Sequence, residues 1–182
     1  ELVAFDTGPG NAPIDDWALK HTGHPVDKDG KLAAKGKANQ NVLAELLRHA
    51  YFAQTPPKSL DRMDFALDMA RNLSAEDGAA TLTAFTAHAI AKAVAHLPEK
   101  PKLWIVCGGG RLNPTLMREL RAALAGASVI AAEDAGWRGD FIEAEAFAYL
   151  AVRSFRGLPI SFPTTTGVRR AISGGTLFAA KS

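Results

Sequence analysis

The stretch that most narrows what this chain can become is Lys102 to Asp134. "KLWIVCGGG" is a short, nearly continuous apolar run, of the kind found in strands buried on both faces of a parallel sheet. Asn113 then offers an N-cap, and Pro114 fills the first position of a helix that runs out near Gly126. "SVIAAED" is a second apolar strand. Two strands joined through one helix lie parallel, and the crossover is expected to be right-handed. Residues 103–106 and 129–131 should therefore be neighbours, linked through a helix over 114–124.

The flanks extend this pattern into an α/β layer fold. Residues 1–5, "ELVAF", read as a strand whose partners are expected upstream, since a lone strand leaves its backbone groups unpaired. Residues 13–21 read as a short helix with acids near its positive end, and residues 22–39 as a polar loop. Residues 40–52 have helical apolar spacing, ended by Pro56 and Pro57. Ser74 caps a long helix, with Asp77 in the capping-box position. The run "TLTAFTAHAIAKAVAHL" is apolar on most of its circumference, so that helix should be largely buried. Residues 140–156 form a further amphipathic helix stopped by Gly157 and Pro159, and "GGTLF" reads as a last short strand. No internal repeat or low-complexity tract interrupts the series.

Composition excludes several functions. A net charge of +2, with no long Lys/Arg run, argues against a nucleic-acid surface. No stretch approaches the ~20 apolar residues of a membrane span, and the first residues lack a signal pattern. The single cysteine, Cys107, rules out an internal disulfide and reads as a core residue on a buried strand. The five histidines show no metal-ligand spacing. A cytosolic location is expected.

Three places carry residue types suited to chemistry. In "FDTGPGN", Asp6 ends the first strand and Gly8 and Gly10 follow. A carboxylate beside backbone N–H groups laid bare by glycine suits phosphoryl transfer. A tight turn in which Asp6 bonds its own backbone is the structural alternative. Gly108, Gly109 and Gly110 remove every side chain between a strand and a helix N-terminus, where a flat or anionic ligand can sit. They do not form the spaced dinucleotide fingerprint, and a flexible connection is the competing reading. Glu143 shares a helical face with Phe147 and Leu150, so it heads an apolar stripe as a half-buried acid. Complementing the helix dipole is its other possible role. Glu145 lies well round the helix and reads as a solvated charge.

"AFDTGPGNAPIDDW", "DKDGKLAAKGK", "PPKS", "VCGGGRLNPTLMREL" and "EAEAFAYLAVRSFRGLPISFPTTTG" occur in that order. Together they resemble the C-terminal half of the anhydro-N-acetylmuramic acid kinase family. The resemblance implies an actin-like ATPase (ribonuclease H-like) domain over residues 1–182, with a mixed sheet and helices on both faces. It implies a second, N-terminal domain that these residues do not include, and a cleft between the two. The implied reaction uses ATP and Mg²⁺ to open the 1,6-anhydro ring with water and to phosphorylate O6, in bacterial peptidoglycan recycling by a cytoplasmic homodimer.

By the same resemblance Asp6 is the base that takes a proton from water. Thr7, Gly8 and Gly10 lie beside the ATP phosphates. Gly108, Gly109, Gly110 and Asn113 receive the adenosine side, and Glu143 touches the sugar. One departure stands out: after "PPKS" the family continues with threonine, glycine and arginine, whereas this chain has Leu60, Asp61 and Arg62. A kinase half for another amino sugar, and an actin-like domain that binds nucleotide without chemistry, are the rival readings.

Overall fold

The structure is a computed structural model that describes residues 2–61, 65 and 67–178. It is organised around one helix. α3 (Ala75–Lys92) is buried from Gly78 to Ala87 and again at Ala89, as its alanine-rich sequence predicts. Small side chains let other elements approach it from all round. On one side it meets α1 (Ala12–Thr22) and α2 (Gln40–Leu46), where Ile14, Trp17, Leu43, Leu46, Phe52 and Phe65 pack with Leu82 and Phe85. On the other it meets α4 (Pro114–Ala123), whose Leu116, Met117 and Leu120 join Ala87 and Val129. Full burial of a side chain such as Phe85 contributes roughly 1.5–3 kcal/mol. Trp17 lies flat on Gly78, where a Cβ would come within 2.0 Å of its ring, and its Nε1 donates to Ala75 O at 2.8 Å.

The buried threonines of α3 satisfy their hydroxyls. Thr81 donates to Asp77 O and Thr83 to Ala79 O, while Thr86 lies 3.1 Å from Leu82 O and shares its one hydroxyl proton with the nearer Gly10 O at 2.7 Å. Ser74 Oγ accepts from Asp77 N–H as expected. The reciprocal half of the capping box is replaced, because Asp77 Oδ1 accepts from Lys37 N–H instead.

β1 (Leu103–Val106) and β2 (Ser128–Ala131) pair in parallel, Leu103 opposite Ser128 and Val106 opposite Ala131, with α4 between them in sequence. Asn113 Oδ1 caps α4 by accepting from Leu116 N–H at 3.0 Å, and Pro114 occupies the first turn. Among the described residues no helix is long and apolar enough to cross a membrane.

Several expectations change. The sheet has two strands among the described residues rather than a larger mixed set. β1 is not buried on both faces: Leu103 is exposed and Trp104 to Val106 are half-buried, since β2 is its one strand neighbour here. Residues 2–5 form no strand. Ala4 N–H reaches Thr164 O and Asp6 N–H reaches Lys58 O, two separate bonds without the repeat of a ladder. Residues 174–178 form no strand either, although Ser161 and Ile172 make an isolated antiparallel bridge just before them. β2 stops at Ala131 because Asp134 turns back to accept its N–H, opening the 3₁₀ turn Ala132–Ala135.

The helix expected over 40–52 ends at Leu46, and the 3₁₀ turn Ala50–Ala53 follows. The expected polar loop contains two further 3₁₀ turns, Lys28–Gly30 and Ala33–Lys35. Buried Asp27 holds them, accepting from Leu32 and Ala33 N–H at 2.8 and 3.0 Å. Gly30 seats this segment on α4, its carbonyl accepting from Thr115 Oγ1. α5 (Ile142–Phe155) has no buried residue, and α6 (Pro163–Thr166) is a single turn.

Candidate functional site

Asp6 is exposed, with half-buried Phe5 and Thr7 on either side, and is fixed from three directions. Its backbone N–H donates to Lys58 O at 3.1 Å, its carbonyl accepts from Tyr51 Oη at 2.6 Å, and its carboxylate Oδ2 accepts from Leu60 N–H at 2.8 Å. The Leu60 loop, where the sequence leaves the family pattern, thus aims the acid through its backbone, a role that any residue but proline can fill. Arg62 lies outside the described residues. The tight-turn alternative, with Asp6 bonding its own backbone, is not what fixes this carboxylate: Leu60 is remote in sequence.

Lys58 steadies the same corner. Its Nζ donates to Tyr51 O at 3.1 Å, lies 3.4 Å from His96 Nε2 and stands 4.6 Å from the Tyr51 ring centre. Partial burial pushes its ammonium below the ordinary lysine range.

Behind Asp6, the loop leans on α3. Gly8 lies so close that a Cβ there would stand 2.7 Å from Ala89 Cβ. Gly10 takes φ 62°, and its carbonyl accepts from Thr86 Oγ1 at 2.7 Å. Thr7, between Asp6 and Gly8, is half-buried. Asn11 carries the connection onward: its amide group lies 3.2–3.3 Å from where a Cβ on Gly110 would be. The loop of Asp6 and the triple-glycine loop therefore adjoin one another beside α3.

The triple-glycine loop has two exposed members and one buried. Gly108 takes φ 69° and ψ −173°, a region open in practice to glycine alone. A Cβ on Gly108 or Gly109 would meet nothing within 4 Å, so the space over them is open, whereas Gly110 is packed against Asn11 and Leu116. Asn113, expected beside adenosine, spends its Oδ1 on the α4 cap.

A charged residue holds this loop. The Arg111 side chain is 4% exposed. Its Nε donates to both oxygens of Glu133 at 2.9 and 3.1 Å, Nη1 to Gly108 O at 2.9 Å, and Nη2 to Asp140 Oδ1 at 2.5 Å. Hydrogen bonds to Glu133 and then Asp140 raise the Arg111 pKa still further. The same contact, first among several, holds the Glu133 carboxyl below its ordinary range.

The family model for anhydro-N-acetylmuramic acid kinase matches residues 1–180. The chain belongs to that family. An anhydro-N-acetylmuramic acid kinase of Brucella anthropi is 56% identical over 176 residues, covering 97% of this chain and 47% of the relative. Those of Methylorubrum populi and Paramagnetospirillum magneticum are 52% and 53% identical, over 96% of this chain and 46% and 50% of their own lengths. The chain spans about half the length of the curated relatives it matches.

Within this chain, the remaining expected residues stand differently. Glu143 is exposed rather than half-buried, as are Phe147 and Tyr149 further along α5, because no described element covers that helix. Glu145 is not merely solvated but pairs with Arg138. Cys107 is exposed, since β1 has already ended at Val106. His96 lies past the end of α3 in the 3₁₀ turn Ala93–His96 and contacts Phe52 O at 3.1 Å, a packing role. An apolar cleft of about 460 Å³ opens at the far end of α1, rimmed by Lys28, Lys31 and Lys35, and none of the expected site residues lines it. Sequence reasoning missed Arg111, Glu133 and Asp140. The one signal for them was an arginine directly after three glycines, facing acids on both sides of the second strand's turn.

Proposed function

We propose that this chain is the C-terminal domain of a two-domain actin-like kinase that acts on anhydro-N-acetylmuramic acid in the bacterial cytoplasm, as a homodimer. The observation that carries the reading is the exposed carboxylate of Asp6, held by Leu60 N–H while Lys58 and Tyr51 fix its backbone, near the open backbone of Gly108 and Gly109. A domain that only binds nucleotide has no use for an acid held there.

In the reaction, Asp6 accepts a proton from water as the water oxygen attacks the anomeric carbon. The bond from that carbon to O6 breaks, and O6 takes the terminal phosphoryl group of ATP, leaving ADP and N-acetylmuramic acid 6-phosphate. The leaving oxygen needs no separate strong acid, because it is phosphorylated as it departs. Backbone amides around Thr7, Gly8 and Gly10 face the phosphates, and Gly108 and Gly109 give the adenosine a surface without side chains. Glu143, exposed at the start of α5, is free to meet a sugar hydroxyl. Among the described residues no group of His, Cys, Asp and Glu is arranged to hold a metal. Mg²⁺, when bound with the nucleotide, would neutralise the charge of its phosphates.

The test is Asp6→Asn in the complete enzyme, supplied with ATP, Mg²⁺ and anhydro-N-acetylmuramic acid. General-base catalysis is typically worth ~10²–10⁴-fold, so sugar phosphate formation should fall by that factor while ATP binding persists. Turnover within a few-fold of wild type would remove Asp6 from the mechanism. The 182-residue chain alone should form none of the product, because ATP and sugar are positioned against each other by both domains.

A further inference from the structure

We propose that Arg111 is a positioning residue for the nucleotide, acting through the shape of the Gly108–Gly110 loop. The inference rests on the reading of that loop as the adenosine surface.

A guanidinium this deeply covered needs a reason beyond solubility, since an arginine is rarely buried unless it is paired. Here every nitrogen has a partner, Nη2 also lying 2.8 Å from Glu133 Oε1. Nε engages Glu133 after β2, Nη1 engages the Gly108 carbonyl, and Nη2 engages Asp140 ahead of α5. Gly139 closes over the group: a Cβ there would stand 2.3 Å from Arg111 Nε and 2.4 Å from Glu133 Oε1. The chain has thus left out a side chain to make room for the guanidinium.

The contact that matters for ligand binding is the one to Gly108. That residue holds a backbone conformation in which nothing but glycine is comfortable, and an unrestrained glycine samples many others. Its carbonyl also accepts weakly from Arg111 N–H at 3.4 Å, so one residue grips it by both main chain and side chain. With the carbonyl drawn toward Arg111, the open face of Gly108 and Gly109 is presented in one shape. A lysine cannot replace this, because one ammonium cannot serve three acceptors in a planar fork.

The experiment is steady-state kinetics of the complete enzyme carrying Arg111→Lys, Asp140→Asn or Gly109→Val, with thermal unfolding alongside. Arg111→Lys should raise the KM for ATP about ten- to a hundredfold, the scale on which misplacing a binding surface by about 1 Å acts, and leave the KM for the sugar in place. Asp140→Asn removes one exposed arm and should raise the ATP KM by a smaller factor. A folded Arg111→Lys enzyme with an unchanged ATP KM, or with both KM values raised alike, overturns the proposal. If Arg111→Lys fails to fold, Asp140→Asn decides, and an unchanged ATP KM there overturns it. Gly109→Val separates the two levels: if it too leaves ATP binding intact, the adenosine reading itself is wrong. If it abolishes binding while both clamp variants bind normally, the role of Arg111 alone is wrong.

Discussion

Replacing Gly8 with alanine should cost this enzyme its turnover, and replacing Ala89 with glycine in the same molecule should bring it back. Gly8 is not among the glycines with positive φ, so alanine meets no backbone objection there. Elsewhere such a change stabilises a protein by about 0.4–1 kcal/mol. Here the new Cβ would stand 2.7 Å from Ala89 Cβ, while its next neighbours, Phe52 Cε1 at 3.8 Å and Ala89 Cα at 4.0 Å, are at ordinary contact. Carbon atoms rest at about 3.5–4.0 Å, so a single atom is in the way, by roughly 1 Å. Overpacking of that kind costs about 1–3 kcal/mol. Ala89 belongs to the buried helix, so the loop is what moves, and Asp6 lies two residues before Gly8. A displacement of ~1 Å at reacting groups can cost ~10²-fold. Ala89→Gly deletes the obstructing atom at a helix-propensity cost of about 1 kcal/mol. The assay is turnover with ATP and anhydro-N-acetylmuramic acid, read with melting temperature for both single variants and the double. A Gly8→Ala enzyme that melts higher and works normally, or a double variant no better than the single, would refute the reasoning.

Gly109→Val should weaken ATP binding at least tenfold, a drop of about 1.4 kcal/mol, measured by calorimetry. Its branched side chain would occupy the open space above the loop. Glu143→Gln should raise the KM for the sugar and not for ATP, checked by varying each substrate in turn; a change confined to melting temperature would favour a helix-dipole role instead. The Glu133 carboxyl is held below its ordinary value of 4.5, chiefly by its hydrogen bond to Arg111. Its stabilising contribution is therefore complete above that value and is lost as pH falls through the lower folded value. Denaturant unfolding of wild type and Glu133→Gln should differ by a constant amount from pH 7 to 5, and that difference should shrink below pH 4.5.

What the sequence revealed and what it hid divide along one physical line. Local signals were readable: Ser74 and Asn113 cap the helices they precede, Pro114 opens α4, and β1 and β2 pair in parallel across it. Gly108 and Gly109 stand open where they were expected to, whereas Gly110 is packed against Asn11 and Leu116. Contacts between distant segments were not readable. Gly8 looked like a means of exposing backbone amides, yet the missing Cβ is explained by Ala89, far along the chain. Arg111 has the composition of a surface residue and is buried because Glu133 and Asp140 converge on it. The apolar stripe of α5 was visible, but periodicity tells which face is apolar and not whether anything covers it. Residues 2–5 have strand composition, and composition cannot supply the neighbour that makes a strand.

The placing of the Asp6 loop against α3 also limits how this chain can change over generations. A larger residue at position 89 would push on the segment bearing Asp6, and loss of the Thr86 hydroxyl would leave the Gly10 carbonyl without its donor. Gly78 cannot gain a side chain while Trp17 lies on it. Along α3, then, one face answers to the acid's loop and another to the packing of α1, and few positions are left to drift. Exposed α5 carries no such double obligation. Substitutions have more room there, around Glu143, than along the buried helix at the centre.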